Sequence, residues 1–164
     1  MLRSFGILSY KLFYFEKGPD GLPKEFSRYE RHALVSSTTH DLPTLAGFWA
    51  GQDIEARKVA GLLPNGDWYQ RQRDERRDDK RKMMQALIRD GFLPADYPAA
   101  AAEGPELSGE LHNAIIGCLV STPSMVMLLN QEDLTKEIDQ QNLPGTTWQY
   151  PNWKRKMKLT LEQL

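Results

Sequence analysis

The chain has one cysteine, Cys118, among 164 residues, so no internal disulfide can form and no second thiolate is on hand for a zinc site. Its histidines, His32, His40 and His112, lack ligand spacing and leave metal binding without a donor set. No apolar run approaches the roughly 18 residues that a membrane-spanning helix requires. The opening stretch Met1-Leu2-Arg3-Ser4-Phe5-Gly6 has no apolar core of the kind a signal peptide carries. The expectation is a soluble, cytoplasmic protein with no membrane partner. Charge of one sign is also missing: 21 basic residues stand against 22 acidic ones, a net of −1. Such a balance gives no field to gather nucleic acid or anionic lipid. There is no internal repeat and no low-complexity tract, and no shift in composition forces a second domain. Length excludes something as well. The chain is long enough for one ordinary core, but a complete eight-stranded β/α barrel takes about 250 residues.

What is present is a series of short apolar runs, each closed by polar residues. Ser9 to Phe15 is aromatic-rich and ends at Glu16-Lys17-Gly18-Pro19, which predicts a strand and then a turn. Ala33 to Thr39 predicts a second strand, stopped before Pro43. From Thr44 to Leu63, the spacing of Leu45, Phe48, Trp49, Ile54, Val59 and Leu62 predicts helix in one or two pieces. The break falls at Gly51-Gln52-Asp53, with Asp53 suited to cap the second piece. Arg71 to Arg81 interleaves cations with carboxylates at helical spacing, the pattern of a solvated helix face. That helix continues through Met83, Met84, Leu87 and Ile88 and ends near Gly91. Tyr97 to Gly104 reads as a loop, and Glu106 to Cys118 as another helix. Ser124 to Leu129 is apolar at successive positions and predicts a third, fully buried strand of a parallel sheet.

The richest of the polar endings is Ser36-Ser37-Thr38-Thr39-His40-Asp41-Leu42-Pro43-Thr44-Leu45. A strand that ends on a His-Asp pair matters, because parallel α/β folds carry their chemistry at the carboxyl ends of strands. Two bland readings stand beside this one. Asp41 can serve as the cap of a helix starting at Pro43, and His40 can be a satisfied buried histidine. Near the other end, Asn142-Leu143-Pro144-Gly145-Thr146 is a turn signal by itself. Trp49, Trp68, Trp148 and Trp153 can stack on sugar faces or fill the core.

Taken with the Asn142–Thr146 segment and with Tyr150-Pro151-Asn152-Trp153-Lys154-Arg155, the His-Asp stretch resembles the amylomaltase family, the 4-α-glucanotransferases. The likeness runs over nearly the whole chain. It implies an α/β fold, the C-terminal part of a (β/α)8 barrel, with three parallel strands and intervening helices forming one piece of a catalytic domain over residues 1–164. The predicted strands at 9–15, 33–39 and 124–129 would be the sixth, seventh and eighth. The resemblance further implies transfer of an α-1,4-glucan segment between maltodextrins through a retaining double displacement, with no nucleotide, redox or metal cofactor. Such chemistry uses a nucleophilic carboxylate and an acid/base about 5–5.5 Å apart. Asp41 matches the family's third carboxylate, which stabilises the transition state, and His40 matches its substrate-binding neighbour. The nucleophile and the acid/base belong to the fourth and fifth strands, and no motif in this chain matches either. The chain alone is therefore expected to be inactive. Gln131 and Asp133, which follow the third strand, and Asn142 are expected to face the sugar beside Asp41. The alternative is a noncatalytic carbohydrate-binding or interaction domain derived from such an enzyme.

Overall fold

The computed structural model describes residues 2–64 and 66–163. Three parallel strands, β1 (Ser9–Leu12), β2 (Ala33–Ser36) and β3 (Val126–Leu128), form a sheet in the order β1-β2-β3. All three are shorter than the predicted runs. After Leu12 the chain turns back on itself, with the Phe15 and Glu16 N–H groups donating to the Leu12 carbonyl. This turn sends Phe13 and Tyr14 into the core. Ser36 ends β2 in a similar way, its hydroxyl donating to the Thr38 carbonyl.

Among the described residues, four α-helices run between β2 and β3, α1 (Leu45–Ala50), α2 (Gln52–Val59), α3 (Trp68–Arg89) and α4 (Gly109–Val120); a short α5 (Gln131–Leu134) follows β3. The start of α1 corrects the capping reading of Asp41. Thr44 is the cap, its hydroxyl accepting from the Gly47 N–H at 2.9 Å, and the helix begins two residues beyond Pro43. Asp53 does not cap α2 either. Gly51 occupies that position with φ 76°, a left-handed conformation natural to glycine. Asp53 instead lies buried in the first turn and takes both ends of the Arg76 guanidinium, at 2.8 and 2.9 Å.

The charged helix α3 is likewise less solvated than its sequence predicts. Arg76, Lys80, Met83 and Leu87 recur at helical spacing along one face. The last two enter the core, while Lys80 is only 5% exposed and donates to the carbonyls of Trp49 and Gly104, at 3.1 and 2.6 Å. The cations that look solvated in sequence thus tie α3 to the carboxyl end of α1.

The sheet has two unlike faces. Val35 is buried and Met127 packs on the same core, together with Leu45, Phe48, Trp49, Met83, Leu87 and the apolar side of α4. On the opposite face the register aligns Tyr10, Leu34 and Val126 across the three strands. This face is only partly covered: Val126 and Leu128 are 42% and 41% exposed. The third strand is therefore not fully buried, contrary to its sequence pattern. Parallel strands with such patterns are normally covered on both sides. Among the described residues no helix is long and apolar enough to cross a membrane.

Candidate functional site

β2 is the central strand, and the segment leaving its carboxyl end carries His40 and Asp41. The neck of this loop is closed by hydrogen bonds: the Thr38 hydroxyl donates to the Pro43 carbonyl at 2.7 Å, and the Tyr14 hydroxyl reaches the same oxygen at 3.2 Å. Asn130, just past β3, donates to the Thr38 carbonyl at 2.8 Å. The carboxyl ends of β2 and β3 are thereby joined at the base of the loop.

The tip is open by contrast. The His40 and Asp41 side chains are 57% and 48% exposed, with His40 Nε2 at 3.4 Å from Asp41 Oδ2. Asn142 holds both residues: its Nδ2 donates to Asp41 Oδ1 at 2.6 Å, and its backbone N–H donates to the His40 carbonyl at 3.0 Å. Gln140 braces Asn142 from behind, donating to the Asn142 carbonyl at 2.6 Å. The ring of Trp153 stands 5.0 Å from the His40 ring at 46°. Trp153 has φ 59°, and its N–H donates to the Gln141 carbonyl at 2.9 Å. A strained backbone in a side chain this large has to be held by its surroundings, and such positions cluster at functional sites. Beside the pair lies a cleft of about 290 Å³, lined among others by Tyr10, Thr39, His40, Asn130 and Gln140. Chemically the tip offers an accessible carboxylate with one oxygen oriented by an amide, an imidazole and an aromatic face.

Of the residues expected at the site, His40, Asp41 and Asn142 come together. Gln131 is exposed on α5, and the cleft wall after β3 is formed by Asn130 and Glu132. Asp133 is a correction. It is fully buried at 0% exposure, accepting from the Leu45 N–H at 2.7 Å and from the Ser37 hydroxyl. Burial raises its carboxyl above the usual range, against the opposing pull of those two hydrogen bonds. It cannot face a sugar from that position. Of the four tryptophans, Trp49 is core and Trp153 stands at the site, whereas Trp68 and Trp148 are exposed. Tyr10, Asn130 and Gln140 were not anticipated. For Trp153 the signal was its place in the Tyr150–Arg155 stretch. Asn130 opens the polar ending of the third strand, whereas for Tyr10 and Gln140 the sequence carries none, since their approach depends on contacts between segments far apart in the chain.

The fold and site define an α/β protein with an open carboxylate–imidazole pair at the carboxyl ends of parallel strands. The family profile of the 4-alpha-glucanotransferases, glycoside hydrolase family 77, matches residues 1–160, and the chain belongs to that family. It is 34% identical over 160 residues to the 4-alpha-glucanotransferase of Haemophilus influenzae, covering 95% of this chain and 22% of the relative. To the 4-alpha-glucanotransferase of Mycobacterium tuberculosis H37Rv it is 35% identical over 154 residues, covering 91% and 20%. The crystal structure of amylomaltase from Corynebacterium glutamicum superposes with a TM-score of 0.82 at 29% identity, covering 93% of this chain and 22% of that one. The chain thus spans about a fifth of the length of the relatives it matches.

Proposed function

We propose that this chain is the C-terminal part of the catalytic barrel of a cytoplasmic 4-α-glucanotransferase, with β1, β2 and β3 as the last three of eight strands. It contributes Asp41 as the carboxylate that stabilises the oxocarbenium-like transition state. His40 and Asn142 contact the sugar, and Asn142 also fixes the carboxylate's orientation. The reaction is the disproportionation of maltodextrins. A nucleophilic carboxylate displaces the leaving sugar and forms a glycosyl-enzyme, and the 4-hydroxyl of an acceptor then releases the glucan with net retention. Both the nucleophile and the acid/base lie in the portion of the relatives that this chain does not cover. No cofactor takes part.

The observation that carries this reading is the half-exposed Asp41, oriented by Asn142 at the end of the central parallel strand, within a chain matched by the family profile over residues 1–160. The partly uncovered face of Tyr10, Leu34 and Val126 supports the barrel, whose inner face would be covered by further strands and their side chains.

The test is a hybrid in which this segment replaces its counterpart in the Corynebacterium glutamicum amylomaltase. Asp41→Ala should lower kcat for maltotriose disproportionation roughly a hundredfold or more, because a group that stabilises developing charge is removed. Ground-state maltodextrin binding should change little. Equal losses in kcat and binding would reduce Asp41 to a binding residue and favour the noncatalytic carbohydrate-binding reading. The 164-residue chain alone should show no transfer; maltotriose disproportionation by it at enzymatic rates would refute the assignment of the two carboxylates to other parts of the barrel.

A further inference from the structure

We propose that Asp133 is a positioning residue: its buried carboxylate spans the two ends of the loop that carries His40 and Asp41 and sets where that pair stands for an α-glucan chain. One oxygen accepts from the N–H of Leu45, the first residue of α1, at 2.7 Å. The other accepts from the hydroxyl of Ser37, the residue just after β2. The two partners are the first residue past β2 and the first helical residue after the loop. The carboxylate therefore ties the loop's ends together from outside, beside the Thr38 hydroxyl that closes the neck directly on the Pro43 carbonyl.

Asp133 is itself held from a third direction. His112, buried on α4, donates from Nε2 to the Asp133 backbone carbonyl at 2.9 Å, and a carbonyl can only accept, so that nitrogen carries the proton. The rest of the segment after β3 follows the same loop around. Asn130 donates to the Thr38 carbonyl at 2.8 Å, the Thr44 hydroxyl donates to the Glu137 carbonyl, and Asn142 reaches His40 and Asp41 at the tip. Among these contacts only Asp133 spans both ends. A fully buried carboxyl is out of a ligand's reach, but removing it would leave a buried hydroxyl and a helix-start N–H without partners. Position, more than chemistry, is what it has to give the site. The substrate class involved rests on the reading of His40 and Asp41 as glucan-contacting residues; the bridging itself does not.

The experiment uses the 164-residue chain and two readouts. One is the shift of the His40 ring protons, which the Trp153 ring 5.0 Å away makes sensitive to loop position. The other is the Kd for maltoheptaose. Asp133→Ala should remove the ring-current shift and raise Kd roughly tenfold, the equivalent of about 1.4 kcal/mol. Asp133→Asn can still accept from Leu45 and can donate to Ser37, so it should restore both readouts to within twofold of the parent. Ser37→Ala, which removes one strut and leaves the other, should fall between them and keeps the test informative if Asp133→Ala does not fold. Ile115→Val and Leu119→Ala, buried in the core on α4 and making no hydrogen bond to Asp133, serve as controls for lost stability alone. They should lower the melting temperature and move neither readout.

The proposal is overturned if Asp133→Ala leaves the His40 shift in place, or if the α4 controls move it as far. If the parent chain fails to bind maltoheptaose while the His40 shift still follows Asp133, the positioning role stands and the glucan reading falls.

Discussion

Asp41 and Asp53 look alike in the sequence: each sits at the approach to a helix and beside a helix-starting signal, Pro43 for one and Gly51 for the other. The fold treats them in opposite ways. Asp53 is 2% exposed and saturated, with the Arg76 guanidinium across both oxygens, and Arg76 also donates to the Phe48 carbonyl and covers the Phe48 ring at 3.8 Å. Asp41 is half in solvent, and its ordered partners are one amide and one imidazole. A carboxylate with both oxygens paired to a guanidinium and no solvent can only hold the structure together. One that is oriented but unsaturated remains available to something outside the chain. Saturation, and not residue type or local sequence, separates the anchor from the site.

The comparison is broken most directly at Asp53. Replacing it by Ala strips the partner from a largely covered guanidinium, a change that costs up to about 3–5 kcal/mol. Urea unfolding of Asp53→Ala should show that loss, while the folded fraction binds maltodextrin as before. A cost below about 1 kcal/mol would put Asp53 in the class of exposed pairs and erase the distinction. Gly47→Ala should come next. A Cβ on Gly47 would stand 2.2 Å from the Ile138 carbonyl oxygen and 2.9 Å from Thr44 Oγ1. Overpacking of that kind costs about 1–3 kcal/mol. Because the displaced backbone leads to Gln140 and Asn142, this variant should also weaken maltodextrin binding, unlike Asp53→Ala.

A smaller effect comes from Lys80, on the anchored side. Burial first, and then the neighbouring charge of Arg76, push its ammonium down to about 8 from an ordinary 10.5. Between those values the folded chain binds fewer protons than the unfolded one, so stability rises with pH across the interval; below it, the full cost of burying the charge is present. The melting temperature of the parent should therefore gain on that of Lys80→Met as pH rises from 7 to 9.5. A constant difference would mean that Lys80 titrates as it does in water.

How much of this was legible depended on whether the cause was local. The His-Asp pair at a strand end, the break at Gly51 and the helical runs through Met83 to Ile88 and Leu111 to Cys118 follow from periodicity and turn chemistry, and they were readable. Partners across the chain were not. The mixed charges of α3 gave no sign that Arg76 and Lys80 turn inward, because their acceptors, Asp53 and the Trp49 and Gly104 carbonyls, are brought there by packing. Asp133 failed for the same reason. Its place after an apolar strand suggested the active face, but α5 rotates it towards Ser37 and Leu45. The apolar run of β3 reads as buried, but among the described residues the face of Val126 and Leu128 is only partly covered.

The smallest effect on stability is expected at Asn142, and it is the one that sharpens the comparison most. The Pro-Gly turn that follows does not depend on its side chain. Asn152 supports that turn: its Oδ1 accepts from the Leu143 N–H at 2.9 Å, and its Nδ2 donates to Thr146 Oγ1 at 2.8 Å. The Asn142 amide points instead at Asp41, in an exposed contact. An exposed polar contact is worth well under about 1 kcal/mol, whereas an unpartnered N–H on the buried Leu143 costs about 1–3 kcal/mol. Asn142→Ala should therefore barely move the melting temperature, and Asn152→Ala should lower it clearly. In the hybrid enzyme the order should invert, with Asn142→Ala raising KM for maltodextrin because the amide that orients Asp41 is gone. If Asn142→Ala costs as much stability as Asn152→Ala and leaves KM alone, Asn142 belongs with Asp53 among the anchors, and the open site contracts to His40, Asp41 and Trp153.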